Sequence, residues 1–385
     1  MLTARYTTNT SSVLPTFNSG YQYTVNETEA NGIYTVEISS DSDFTSCSFS
    51  GKTQLLTVDY LKVTDKVTTM ANLFNGCTSL TNVNTSNWNT SNVTNMSYVF
   101  HGCKALTALD VSNFNTSNVT NMRNMFYNCA NLTQLDVSNF NTSDVTDFEN
   151  LFRGCSKVIR LDVSNFNTSN VTNMQYVFHE CMSLTTLDLS NFNTEKVTSM
   201  RNMFYSCRVL TQLDVSSFNT SKVTNMSNMF NNCLSLVQLD LSNFDTSKAS
   251  NTTNMFNGAE NLIIIGMIYC SLDTVNTLSS LLPTTTAKQV YVEDVKSFEC
   301  TEVSNITFID YISNSYTITP PVALTLEDEI LWDDSLQRYI IKRLDGSIVE
   351  TDISSKFKID LYAPYTMIYA DNVTSISINI NRKGM

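Results

Sequence analysis

Hydrophobic and polar positions follow a 26-residue period through the middle of the chain. A cysteine, an aspartate and an aromatic residue each recur at this interval. The cysteines are Cys77, Cys103, Cys129, Cys155, Cys181, Cys207 and Cys233, and the aromatic series runs from Trp88 and Phe114 to Phe244. A fixed period of this length predicts a repeat array, in which each copy packs against its neighbours because it cannot bury its apolar side chains alone.

Each copy has two halves with different hydrophobic spacing. In the first half, Leu109 and Val111 flank Asp110, which predicts a short strand with the aspartate facing outward. The second half carries apolar residues at the steps typical of one helix face, namely Val119, Met122, Met125, Phe126 and Cys129. The pattern predicts an α/β repeat, a leucine-rich-repeat-type solenoid with one short strand and one short helix per 26 residues.

The repeat resembles that of the BspA-like leucine-rich repeat family, whose copies read L-x-x-L-D-[VL]-S-x-F-[ND]-T-S-x-V-T-x-M-x-x-M-F-x-x-C. The copy that begins at Leu106 follows this pattern, and the resemblance extends from Val67 to Ile265. It implies a bacterial surface protein, an adhesin or a related phage-encoded protein, and it implies no catalytic residues.

The segments on either side of the repeats have a different character. Residues 1–52 are rich in Thr and Ser and predict a β-rich N-terminal cap, followed by the solenoid at 53–265. Residues 266–385 predict a β-rich C-terminal docking region, either undivided or split into two modules near 320. Within it, residues 324–346 resemble β modules of phage tail-associated proteins. The predicted C-terminal strands are Gln289–Val292, Tyr316–Thr319, Tyr339–Lys342 and Ile376–Ile380.

Charge and hydropathy exclude several kinds of partner. The formal net charge of −13 leaves no basic patch for nucleic acid. The longest apolar run, Leu262–Cys270, is too short to span a membrane, so direct membrane insertion is not expected. The first residues lack the apolar core of a signal peptide, which predicts that no standard export signal is used.

Catalytic chemistry has little support in the sequence. The two histidines, His101 and His179, occupy the same repeat position three copies apart, about 15 Å at about 5 Å per copy. That separation prevents a shared metal or a catalytic pair. The sequence therefore predicts no catalytic residues, no cofactor and no enzymatic activity. A pair of carboxylates for glycoside hydrolysis remains an alternative, because Asp and Glu are plentiful.

The aspartate column allows two interpretations. One is a solvated acidic stripe, in which the carboxylates accept hydrogen bonds from nearby Ser and Thr. The other is a track for calcium or a cationic ligand, since regularly spaced carboxylates suit hard cations. The column consists of Asp110, Asp136, Asp162, Asp188, Asp214 and Asp240.

A second set of positions varies in side chain while the frame around it stays constant. Tyrosine, histidine and arginine at these positions suit stacking on a glycan or a protein interface. The alternative is variation without function on helix exteriors. The ligand-binding candidates are Tyr98, His101, Tyr127, Arg153, Tyr176, His179 and Tyr205.

The functional prediction is a non-enzymatic phage virion protein, associated with the tail, whose solenoid recognises the host surface. The missing export signal favours it, because a virion protein leaves the cell by lysis. The predicted partners are a bacterial surface glycan or protein at the solenoid, and other virion or surface-assembly proteins at the C-terminal region, in an oligomeric assembly. The alternatives are a bacterial cell-surface adhesin and a structural spacer within a larger assembly.

Overall fold

The computed structural model describes residues 1–241, 244–259 and 262–265, followed by separate β segments. These segments are 288–293, 295–301, 305–310, 315–318, 329–333, 338–342, 347–349 and 365–370. The chain divides into two compact units. The first contains Met1–Val237 and Lys248–Asn261, and the second contains Gln238–Ser247 and Leu262–Met385.

The first unit begins with a five-stranded sheet in the order β3-β4-β1-β6-β7. Its strands are β1 (Leu2–Thr8), β3 (Thr24–Ala30), β4 (Ile33–Ser39), β6 (Leu55–Leu61) and β7 (Asn82–Val83). A separate pair joins β2 (Thr16–Phe17) to β5 (Cys47–Ser48). Asn31 and Gly32 connect β3 to β4 with φ angles of 54° and 76°, the left-handed geometry that a tight hairpin turn needs. The last pair, β6 with β7, is parallel and leads into the repeats.

Each 26-residue copy forms one rung of a stack, and consecutive rungs run parallel. The bridges Thr69 to Asn95 and Asn95 to Asn121 show the 26-residue offset, which continues to Asn251. Backbone N–H groups alternate between two kinds of acceptor in the second half of each rung. The N–H of Phe126 donates to the carbonyl of Leu151 in the next rung at 3.0 Å, whereas that of Met125 donates to Met122 within its own rung at 3.1 Å.

The predicted strand-plus-helix repeat is wrong, because the described residues contain no helix. Two residues in the second half of each complete rung have positive φ, for example Asn124 at 58° and Asn128 at 57°. Left-handed residues cannot continue a right-handed helix, and at the third position of a four-residue turn they close the chain into consecutive tight turns. In these turns, alternate backbone N–H groups have no acceptor within their own rung and donate to the next rung.

The first half of each rung also lacks the regular strand that the alternation predicted. Between residues 84 and 237, all of which are described, the structure has no regular strand, and the only isolated bridge between first halves joins Arg160 to Thr186. The burial pattern is nevertheless as expected, with Leu109 and Val111 buried and Asp110 exposed.

The core is a set of columns that run through the stack. Phe74, Phe100 and Phe126 belong to a phenylalanine column whose neighbouring ring centroids lie 5.7 and 5.9 Å apart. The cysteines form a second column of buried free thiols. Each thiol donates to a phenylalanine carbonyl of the preceding rung, as Cys129 does to Phe100 at 3.1 Å. A third column of buried threonines bridges rungs, as Thr116 does by donating to the carbonyl of Asn141 at 2.9 Å.

The second unit is described as strands only. β8 (Gln238–Asp240) pairs in parallel with β9 (Ile263–Ile265), and β10 (Lys288–Glu293) pairs with β17 (Tyr365–Ala370). One three-stranded antiparallel sheet joins β11 (Val295–Thr301), β12 (Asn305–Asp310) and β13 (Ser315–Ile318). Another joins β14 (Glu329–Asp333), β15 (Arg338–Lys342) and β16 (Ile348–Val349). The predicted strand Ile376–Ile380 and the division near 320 lie outside the described residues.

Candidate functional site: an aromatic ladder and an aspartate groove

The seven ligand-binding candidates come together in one line along the stack. His101 stacks on Tyr127, with ring centroids 4.6 Å apart and planes 9° apart. The guanidinium of Arg153 lies 5.2 Å from the centroid of Tyr127 and 4.7 Å from that of Tyr176. Together with Arg201, these side chains form the aromatic ladder: Tyr98, His101, Tyr127, Arg153, Tyr176, His179, Arg201 and Tyr205.

The ladder repeats its local geometry after three rungs. Tyr98 and His101 have centroids 5.4 Å apart and tilted rings, and Tyr176 and His179 have the same separation. His179 then stacks on Tyr205 at 4.6 Å, as His101 stacks on Tyr127. The seven candidates are half-buried, and His179 is fully buried, because neighbouring rungs cover one another's side chains.

Two of the tyrosines occupy backbone positions that asparagine fills in the other rungs. Tyr98 and Tyr176 have φ of 59° and 61°, and the equivalent Asn124, Asn150 and Asn202 lie between 55° and 58°. The left-handed region costs most L-residues about 1–2 kcal/mol, and asparagine tolerates it better. The repeat frame therefore accepts tyrosine here at a cost in stability. Residues with such unfavourable backbone angles are concentrated at functional sites.

The histidines of the ladder are neutral at physiological pH. Burial and, to a smaller extent, the positive charge of Arg153 lower the pKa of His179 to about 4. Burial also lowers the pKa of His101. The Nδ1 atom of His179 has no hydrogen-bond partner within the described residues, and it lies 3.5 Å from Oε2 of Glu180.

The aspartate column lines a groove on the first halves of four rungs. The groove has a volume of about 970 Å³ and is lined by Asp136, Asp162, Asp188 and Asp214. Arg160 and the exposed side chain of Ile159 lie among them, together with threonines and glutamines. We call this surface the aspartate groove. Asp110 precedes it along the column, and the side chain of Asp240 lies outside the described part of the chain.

Each described aspartate of the column bonds a serine two residues later in its own rung. Oδ1 of Asp136 accepts the backbone N–H of Ser138 at 3.0 Å and its hydroxyl at 2.6 Å. These hydrogen bonds lower the pKa of Asp136, and serine bonds likewise lower those of Asp110 and Asp188. Within the described ranges, no group of three or more His, Cys, Asp or Glu side chains is arranged to hold a metal ion. The serine bonds are those that the first interpretation expects, and the calcium track stays a prediction.

The cysteine column offers no activated nucleophile within the described residues. Burial raises the pKa of Cys77, Cys155 and Cys233 to about 12, which keeps these thiols protonated and unreactive at physiological pH. Sequence reasoning missed Arg201, Arg160 and Ile159. Arg201 could have been found, because its repeat position holds Arg123, Glu149 and Gln175 and is therefore as variable as the positions that were selected.

None of the described residues forms a helix of the length and hydrophobicity that a membrane-spanning segment requires. A family model described as "Mycoplasma protein of unknown function, DUF285" matches residues 45–160 and 147–265. The two matches together cover more than half of the 385 residues and coincide with the repeats. No curated protein matches the chain, and no solved structure does.

Proposed function

The chain belongs to the DUF285 family, Mycoplasma proteins of unknown function, and we propose that it is a non-enzymatic binding protein of a phage virion. In this proposal the protein is associated with the tail, and its rung stack recognises the host surface. Other virion proteins bind the C-terminal region, and the protein is oligomeric in the assembly. The likeness of the repeats to BspA-like repeats supports a role at a bacterial surface.

One observation carries the recognition role. The positions that vary between copies, while the frame stays constant, lie along one line of touching aromatic and cationic side chains. A purely structural frame has no need for tyrosine at a left-handed position that asparagine fills in other rungs. Aromatic and arginine side chains dominate the binding energy of recognition surfaces.

A bacterial cell-surface adhesin is the second candidate. The bacterial name in the family's description favours it, and its recognition surface would be the same ladder. The location of the protein separates the two candidates. Antibody labelling of purified phage particles is expected to detect the protein on the tail. Labelling of intact bacteria, with none on particles, would instead favour the adhesin.

Binding of the purified full chain to intact bacterial cells tests the recognition role. We expect saturable binding by the wild-type protein. Its affinity should fall at least about tenfold in a variant with Tyr127→Asn, Tyr176→Asn and Tyr205→Asn, since each change removes a stacking contact with the ligand of about 1 kcal/mol. Asparagine occupies both repeat positions elsewhere in the stack, so the variant should fold. Binding that the triple variant retains, or no binding by a folded wild-type protein, would favour a spacer within an assembly.

A further inference from the structure

The centre of the aromatic ladder holds two arginines without a carboxylate partner in the described part of the chain. Arg153 and Arg201 lie 4.7 and 5.7 Å from the ring centroid of Tyr176. By contrast, Arg123, in the same repeat position as Arg201, lies 2.9 Å from Oε1 of Glu149 and 3.6 Å from Oδ2 of Asp147. The chain has 36 acidic residues against 23 basic ones, so arginines without such a partner are notable.

The contact with Tyr176 leaves both guanidinium groups able to bind an anion. A cation over a ring uses the flat face of the guanidinium, and the N–H donors point outward in its plane. Arg153 donates one hydrogen bond, to Oδ1 of Asn150 at 3.3 Å, and Arg201 is exposed. The remaining donors match the forked geometry by which arginine binds carboxylate, sulfate or phosphate. Two carboxylates lie in this part of the stack: Glu149 accepts a hydrogen bond from Asn150 at 3.3 Å, and Glu180 lies next to His179.

We propose that Arg153, Tyr176 and Arg201 form a subsite for the anionic group of an acidic saccharide. This inference rests on the proposed recognition function and specifies its ligand class. The tyrosine holds the two cations in place, and the half-buried rings of Tyr127 and Tyr205 flank the subsite along the stack. The rings of Tyr127 and Tyr205 offer a stacking surface for a sugar ring, and the two guanidinium groups bind its anionic substituent.

The repeats themselves supply variants that should preserve the fold. Asn231 stands where Arg153 does, so Arg153→Asn places a residue that the frame already accepts. Gln175 stands in the position of Arg201, which makes Arg201→Gln the second variant. Arg160→Gln is the control for charge, because it removes one positive charge from the aspartate groove, as each ladder variant removes one from the ladder, and Gln134 occupies that repeat position.

The test measures binding of the full chain to three pairs of immobilised polysaccharides that differ in the anion. The pairs are polygalacturonic acid and its methyl ester for carboxylate, phosphomannan and mannan for phosphate, and dextran sulfate and dextran for sulfate. We expect at least one acidic polymer to bind about tenfold or more tightly than its neutral partner, because the neutral partner lacks the group that accepts the charge-assisted hydrogen bonds of the two arginines. That preference should disappear in the Arg153→Asn, Arg201→Gln double variant and persist in Arg160→Gln.

The proposal is overturned if no acidic polymer binds better than its neutral partner. It is equally overturned if Arg160→Gln removes the preference as fully as the double variant, since the effect would then be one of overall charge. Thermal unfolding of each variant shows whether a loss of binding reflects unfolding. Cell binding that persists without any preference for acidic polymers would contradict the acidic saccharide as ligand and leave the proposed recognition function intact.

Discussion

The aromatic ladder and the aspartate groove are built on the same 26-residue frame, yet they use it in opposite ways. In the ladder, side chains reach across rungs, as His101 does to Tyr127, and consecutive rungs contribute different residues. In the groove, each aspartate bonds only its own rung, as Asp136 does to Ser138, and the residue is the same every time. In this repeat array, the positions whose side chain changes from rung to rung are therefore separate from the positions whose constant side chain maintains the backbone frame.

The backbone gives a physical reason for this separation. The ladder side consists of consecutive turns with left-handed residues, whose N–H groups bond the next rung and hold the two side-chain positions in register. The groove side has few backbone bonds between rungs, and local hydrogen bonds to aspartate close its turns. Substitutions on the two sides should consequently differ in how much folding stability they remove and in the pH range over which they remove it.

The largest difference is expected at the left-handed positions of the ladder side. Asn124 is buried with φ of 58°, and Asn124→Val should lower the free energy of unfolding by about 2 kcal/mol, because a β-branched residue is poorly tolerated there. Asn124→Gly should cost less than about 1 kcal/mol, since glycine adopts this conformation freely. Urea unfolding of both variants measures the difference. Equal losses would show that backbone conformation does not limit the ladder side.

Acid titration should separate the two sides by the pH at which each loses stability. Because the folded pKa of His179 is about 4 and its ordinary value is 6.5, the unfolded chain binds the proton first. The stability that neutral His179 gives the folded state is complete above pH 6.5 and is lost as the pH falls towards 4. The loss is on the order of 1 kcal/mol. In His179→Asn, the stability measured by urea unfolding should change less over this interval. A profile identical to that of the wild type would show that His179 does not couple protonation to folding.

The smallest expected effect belongs to the groove. Asp136→Ala removes two hydrogen bonds at an exposed position, so we expect a loss of about 0.5–1 kcal/mol at neutral pH. The folded pKa of Asp136 lies below its ordinary value of 3.8, so this contribution is complete above pH 3.8 and disappears as the pH falls through the folded pKa. Wild type and variant should converge in acid. A loss comparable to that of Asn124→Val would contradict the contrast between the two sides.

The sequence predicted burial well and local conformation poorly. Val119, Met122, Met125, Phe126 and Cys129 are all buried, as their spacing required. Apolar steps of three and four residues indicate which side chains face inward, but consecutive turns satisfy them as well as a helix does. The asparagines at 124 and 128 carried the missing signal, since asparagine is the residue besides glycine that most readily adopts left-handed φ.

The candidate site was predicted as a set of residues but not as a surface. The variable positions selected seven of the eight ladder residues, yet the stacking of Arg153 between Tyr127 and Tyr176 depends on the register between rungs, which one sequence does not reveal. Arg201 was missed although its repeat position varies as much as the positions that were selected. The groove depends on how neighbouring rungs leave space between them, and no local pattern in the chain encodes that space.

The alternating N–H pattern also has a mechanical consequence. Each rung is fastened to the next by a short row of hydrogen bonds, so a force that peels the stack from one end breaks them a few at a time. One released rung of 26 residues lengthens the chain by up to about 90 Å, at about 3.5 Å per extended residue. A stack built this way yields in steps under load and dissipates energy each time a rung is released.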